Sequence, residues 1–148
     1  MTPSVKIDRI KELSQLRLLL TQEETGLKEY VYPKLGIGDV WWIPDQFTGF
    51  GEKQRHPWVI VRGYSERRAN VVACPRTTGI GNSRHGIVTP AGVLPELDQV
   101  GLILLKHRRS FVAKEFRGFG YVGRLPEKWA QRIIDFYGSL AGSKRSNE

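Results

Sequence analysis

Cysteine is all but absent: Cys74 is the only one in 148 residues. The chain therefore forms no intramolecular disulfide and no thiolate metal cluster. No apolar run approaches the roughly 18 residues that a membrane-spanning helix needs. No basic stretch followed by an apolar one marks a secretory signal either. A cytoplasmic protein with no membrane partner is the expectation. The three histidines stand apart from any other ligand at metal-binding spacing, so no metal and no cofactor is expected. With 16 glycines and 8 prolines against 40% apolar residues, a disordered or low-complexity chain is excluded. Acid is scarce in one place above all. From Lys53 to Arg84, Glu66 is the sole carboxylate against seven Lys and Arg residues, a local net of +6 within an overall +8. A field of that sign favours a polyanion, or an acidic protein that imitates one.

What is present suits one mainly β (α+β) domain with a helix at each end. Residues 1–34 read as an N-terminal helix and a joint, residues 35–142 as the main domain and residues 143–148 as a polar tail. Thr2 and Pro3 open the first helix as N-cap and first turn, Ile7, Ile10, Leu13, Leu16 and Leu20 recur at nearly helical spacing, and Gly26 is its expected stop. Charges cancel from Met1 to Tyr30, with five of each sign. Three short β-prone runs follow, Val40 to Ile43, Trp58 to Val61 and Val71 to Cys74, bounded by Gly, Pro, Asp or Asn. They read as consecutive antiparallel strands, with a loop from Asp45 to Pro57 between the first two. Gly79 to Arg84 is a flexible turn, Gly86 to Thr89 a short strand and Pro90 to Leu97 a loop. Val100 to Leu105 is a buried strand, Ser110 to Phe116 a strand or short helix, and Phe119 to Val122 a last strand. Arg124 to Glu127 opens a closing helix with Trp129, Ile133, Phe136, Tyr137 and Leu140 on one face, ended by Gly142.

The run Gly38-Asp39-Val40-Trp41-Trp42-Ile43, a charged loop into Pro57-Trp58-Val59-Ile60-Val61, and then Val72-Ala73-Cys74-Pro75-Arg76-Thr77-Thr78 resembles the MazF/PemK-like toxins of bacterial toxin–antitoxin pairs. Gly120-Tyr121-Val122-Gly123-Arg124-Leu125 before an apolar helix resembles that family's ending. The likeness covers Gly38 to Gly142 and is firmest up to Thr78. It implies a small SH3-like antiparallel barrel, a homodimer, and a metal-independent endoribonuclease acting on single-stranded RNA. It also implies a cognate antitoxin whose acidic segment occupies the RNA groove. The family's catalytic pair is an Arg before the Pro that opens the second strand and a Thr or Ser after the third. Thr77 matches the latter. At the former position this chain has His56, with Arg55 one place earlier. A bulge brings Arg55 to the site, or His56 has taken the role, or the chain no longer cuts.

RNA is cut when its 2′-hydroxyl is deprotonated and attacks the adjacent phosphate in line, which asks of the protein a base, an acid and a cation. Arg55 suits a phosphate clamp, because a guanidinium fork matches phosphate and does not give up its proton. His56 suits a base or acid. Thr77 suits a donor to a non-bridging oxygen. Arg76 suits a neighbouring phosphate, Glu52 an orienting partner for Arg55, and Lys53 and Thr78 further RNA contacts. Trp41, Trp42, Phe47, Phe50 and Trp58 are the candidates for base stacking, Trp41 and Phe50 foremost, and alternation allows two or three of them at most. Asp39 caps the turn into the first strand. Two rival readings remain open: a non-catalytic binding module for nucleic acid or protein on the same barrel, and a toxin that poisons a protein target such as gyrase.

Overall fold

The computed structural model describes residues 3–52, 54–79 and 86–146. The chain divides into two units, Met1–Pro33 and Lys34–Glu148. The first is built on α1 (Pro3–Gly26). Ile10, Leu13, Leu16, Leu18, Leu19 and Leu20 are all more than half exposed along it. Gly26 does not stop the helix. It keeps right-handed angles, φ −59° and ψ −41°, and the chain runs on through a π turn at Leu27–Val31. A glycine ends a helix only when it turns left-handed, and this one does not. The joint that follows is therefore helical through Lys34.

The second unit carries the sheet: β1 (Asp39–Pro44), β2 (Arg55–Arg62), β3 (Asn70–Thr77), β4 (Gly86–Thr89), β5 (Gly101–Leu104), β6 (Arg109–Val112) and β7 (Gly120–Arg124). A short helix, α2 (Asp45–Thr48), follows β1, and α3 (Glu127–Ser146) closes the chain, passing through Gly142 instead of ending there. The strand order is β4-β5-β3-β2-β1-β7, with β6 also paired to β3 and every pairing antiparallel. Bulges at Val40/Trp41 and Ile60/Arg62 bend the sheet as a small barrel requires. The ring is not closed, because β4 and β7 end the order unpaired with each other. Ser110 to Phe116, left open between strand and helix, is both: β6 runs into a 3₁₀ turn at Ala113–Gly118. The turn at Gly79 to Arg84 falls, from Ile80 on, outside the described residues, and so does the Thr2 cap.

Alternation sorts the strands into two cores. On one side Val40, Val59, Val61, Val72 and Cys74 pack with Ile103, Leu105, Leu125 and the Trp129 and Ile133 face of α3. On the other an aromatic cluster forms, with Trp58 5.4 Å from Phe111, Phe111 5.6 Å from Phe116 and Trp41 5.2 Å from Phe116 between ring centroids, all edge to face. One end of the sheet is tied by a buried polar group. Asp39, fully buried, accepts from Gly36 N (2.9 Å), Tyr121 OH (2.7 Å), and Arg124 Nε (3.1 Å) and Nη2 (2.8 Å), joining β1 to β7.

Two of these groups give the fold an alkaline limit. Burial pushes the Cys74 thiol from its ordinary 9.0 up to about 12, with Arg108 pulling the other way. Burial, then the hydrogen bond to Asp39, pushes the Tyr121 phenol from 10.0 up to about 12. Both folded values exceed the unfolded ones, so their stabilisation is full below pH 9.0 and 10.0 respectively and is lost as pH rises toward 12. Urea midpoints measured from pH 8 to pH 11 should fall continuously above about pH 9. Tyr121→Phe should flatten the upper part of that fall and Cys74→Ala the lower part. A midpoint independent of pH across this range contradicts the account.

Candidate functional site

The register of β1 against β2 decides which side chains can meet. Pro44 stands opposite Arg55, Ile43 opposite His56, Trp42 opposite Pro57, Trp41 opposite Trp58 and Val40 opposite Val59, without a shift. The expected loop up to Pro57 is thus strand from Arg55 on, and it contains no bulge that turns Arg55 round. Arg55 points to the Trp42 side, its guanidinium 4.3 Å from the indole centroid. His56 points to the opposite side with Trp58.

His56 is held from three directions. Its Nδ1 lies 2.6 Å from Asp45 Oδ1. Phe50 packs edge-on at 5.0 Å between centroids. Gly51 lies so close that a Cβ there would come within 2.8 Å of Cε1. Both partners of the pair are buried, His56 at 8% and Asp45 at 4% exposure, and Asp45 Oδ2 makes no hydrogen bond among the described residues. The turn that delivers Phe50 and Gly51 depends on Gly49, which takes φ +70° where α2 ends and donates to Asp45 O at 2.6 Å. Arg109 steadies the same turn, donating to Phe47 O at 3.3 Å and Thr48 O at 3.1 Å.

Across the sheet, β3 pairs with β2 as far as Pro75 opposite Trp58. It then leaves β2 and pairs with β5, Arg76 against Ile103 and Thr77 against Leu102. Thr77 lies two residues beyond Pro75 and His56 two before Trp58, so by alternation both share the side of that pair. Thr77 Oγ1 accepts from Gly79 N at 3.3 Å. Arg76 takes the other side and is only 3% exposed. Its Nε donates to Thr89 Oγ1 and its Nη2 to Gln99 O, both at 2.7 Å. Burial lowers its pKa from the ordinary 12.5. Trp42, Arg55, His56, Pro57, Arg76, Thr78 and Glu96 are among the residues that line a cleft of about 140 Å³. Trp42 Nε1 donates to Glu96 Oε2 at 2.9 Å.

Several solved structures resemble this arrangement. The MazE–MazF complex of Deinococcus radiodurans matches with a TM-score of 0.54 at 22% identity, over 73% of this chain and 96% of that one. A second crystal form of that complex gives 0.56 at 22%, over 74% and 97%. MazF alone from the same organism gives 0.54 at 20%, over 73% and 97%. This is the MazF fold. No protein-family model matches the sequence, and no curated protein does.

Within the MazF fold the residues singled out in the sequence fall into separate places. His56 and Thr77 share one side of the sheet. Arg55, His56, Arg76 and Thr78 nevertheless line one cleft, and Thr77 is not among the residues that line it. Trp41 is 4% exposed, its Nε1 donating to Lys34 O and its ring occupied by Phe116 and Tyr121, so no face is open to a base. Phe50 is half-buried between His56, Trp58 and His107. Glu52 is exposed in the turn, and Lys53 lies outside the described residues. Among the described residues no three His, Cys, Asp or Glu side chains gather as a metal ion would need. Asp45 is the residue the sequence reading passed over. The signal was available: an acid directly after β1 and a histidine opening β2 are brought together by any hairpin that joins those two strands.

Proposed function

We propose that this chain is the toxin of a toxin–antitoxin pair and cuts single-stranded RNA by metal-independent attack of the 2′-hydroxyl. The observation that supports the reading is the cleft lined by Arg55, His56, Arg76 and Thr78, together with the unbroken β1–β2 register, which turns the His56 side chain to the side that alternation gives Thr77. On the MazF fold these are the two positions where the family resemblance expects the catalytic pair. His56 takes the 2′-hydroxyl proton, the 2′-oxygen bonds to phosphorus, and the P–O5′ bond breaks. The 5′-oxygen leaves with a proton, giving a 2′,3′-cyclic phosphate and a 5′-hydroxyl, with no water consumed. Thr77 donates to a non-bridging oxygen. Arg55, stacked on Trp42, clamps a neighbouring phosphate. The basic excess between Lys53 and Arg84 attracts the RNA, and an acidic antitoxin segment competes for the same face. The active form is a homodimer in the cytoplasm. A second reading, a binding module that holds nucleic acid without cutting, is favoured by the burial of His56 beneath Phe50 and Gly51.

The test is incubation of the purified chain, with EDTA, on a long single-stranded RNA. Discrete cuts ending in 2′,3′-cyclic phosphate, lost in Thr77→Ala, support the nuclease. Intact RNA with salt-sensitive gel shifts supports the binding module. Intact RNA without shifts, but with growth arrest on expression, points to a protein target.

A further inference from the structure

We propose that Asp45 is a positioning residue for the cleavage reaction, holding the His56 proton at Nδ1 so that Nε2 presents its lone pair to the ribose 2′-hydroxyl. The inference rests on the nuclease reading above and extends it to a residue that the family's Arg–Thr pair does not include.

Geometry and chemistry lead there together. An ionised carboxylate only accepts, so the 2.6 Å contact to Asp45 Oδ1 places the proton on His56 Nδ1. A neutral imidazole carries one proton, which leaves Nε2 bare. Nε2 makes no hydrogen bond within the described residues, whereas Nδ1 is fully engaged. Close neighbours oppose a ring flip that would take Nδ1 away from Asp45. Gly51 presses on Cε1 closely enough that a side chain there would collide, and Phe50 blocks one flank. A ring clamped in this way, with one nitrogen spent on a carboxylate and the other unspent, is what a general base requires.

The contrast with Asp39 separates this pair from a merely structural one. Asp39 is equally buried, and both of its oxygens are saturated by four donors from Gly36, Tyr121 and Arg124. Asp45 gives one oxygen to His56, and its Oδ2 is buried without a partner among the described residues. A carboxylate kept in that state is poorly used as a brace. It is well used as a negative charge beside an imidazole that becomes imidazolium when it takes a proton. In the step itself, the 2′-hydroxyl proton moves to Nε2, and the new charge is shared with Asp45 through Nδ1. The departing 5′-oxygen, in line on the far side of phosphorus, takes its proton from water, and His56 gives the proton it took back to solvent, so the pair ends as it began.

The experiment combines ¹⁵N NMR of the histidine side chains with cleavage kinetics on the full chain, for wild type, Asp45→Ala and Asp45→Glu. Expected for wild type is a His56 protonated at Nδ1 and bare at Nε2. In Asp45→Ala the proton moves to Nε2, and kcat falls about 100-fold or more with KM changed less than about twofold. Asp45→Glu, able to reach the same nitrogen, recovers part of both. The proposal is overturned if wild-type His56 carries its proton on Nε2, or if Asp45→Ala leaves the tautomer unmoved. It is also overturned if kcat falls only in step with the folded fraction measured by circular dichroism. A wild type that leaves RNA uncut removes the nuclease reading, and the catalytic role of Asp45 with it. A wild type that cuts while Asp45→Ala cuts equally well removes the role of Asp45 alone.

Discussion

His56→Ala lowers the rate of RNA cleavage by about 10²- to 10⁴-fold, the range that a positioned proton carrier contributes. The loss appears in kcat, because the side chain meets the substrate only as the 2′-hydroxyl gives up its proton. RNA binding persists, since the cations that attract the polyanion, Arg55 among them, are untouched. Removing the ring also leaves Asp45 buried without its one partner, which costs roughly 1–3 kcal/mol of stability. His56→Gln is therefore the companion variant: it keeps a donor for Asp45 Oδ1 and the bulk beneath Phe50, yet cannot carry a proton. It should be as inactive as the alanine variant and nearly as stable as wild type. His56→Arg tests the same point from the other side. If a guanidinium there cleaves as fast as the imidazole, the position needs a cation and not a base.

Asp39→Ala costs about 3 kcal/mol or more. The carboxylate is fully buried and receives four hydrogen bonds. Its removal leaves Gly36 N and Tyr121 OH without an acceptor and Arg124 without its partner on β1. The Arg124 side chain is 57% exposed and keeps water, so the penalty falls mainly on the other two groups. A domain of this size should lose about 10 °C in Tm, read by differential scanning calorimetry. Asp39→Asn keeps the shape but can accept at only one atom, and should fall between the two. If Asp39→Ala melts within about 2 °C of wild type, the β1–β7 tie is not what holds the sheet's end.

How much of this was legible in the sequence varies with the physics involved. The strand cores were visible because Val40 to Ile43, Trp58 to Val61 and Val71 to Cys74 are β-branched and aromatic runs between turn residues. The polar ends were not. Arg55-His56 extends β2 backward and Arg76-Thr77 extends β3 forward, and neither pair carries an apolar alternation to reveal a strand. Their conformation is imposed by pairing with β1 and β5. The side on which each residue falls required one further fact, that no bulge interrupts β1 against β2, and bulges leave no reliable mark in one sequence. Arg76 shows the limit most plainly. A basic residue beside two threonines at a strand end reads as a surface cation. It is buried because Thr89 and Gln99, distant in the chain, offer oxygens in the right places. Gly26 misled for a related reason: glycine permits a left-handed stop without compelling one.

The place where Arg76 lies has a consequence for how this chain can change over time. A Cβ at Gly101 would stand 2.4 Å from the carbon of the Arg76 guanidinium, so the two residues occupy what is in effect one volume. Neither can drift alone. Any side chain at position 101 must evict the guanidinium and strand Thr89 and Gln99, while a smaller residue at position 76 would lift the constraint on 101 and let alanine or serine enter. Homologues should therefore show the two sites as a linked pair, arginine with glycine or a shorter residue with a larger one. The mixed combination should be missing.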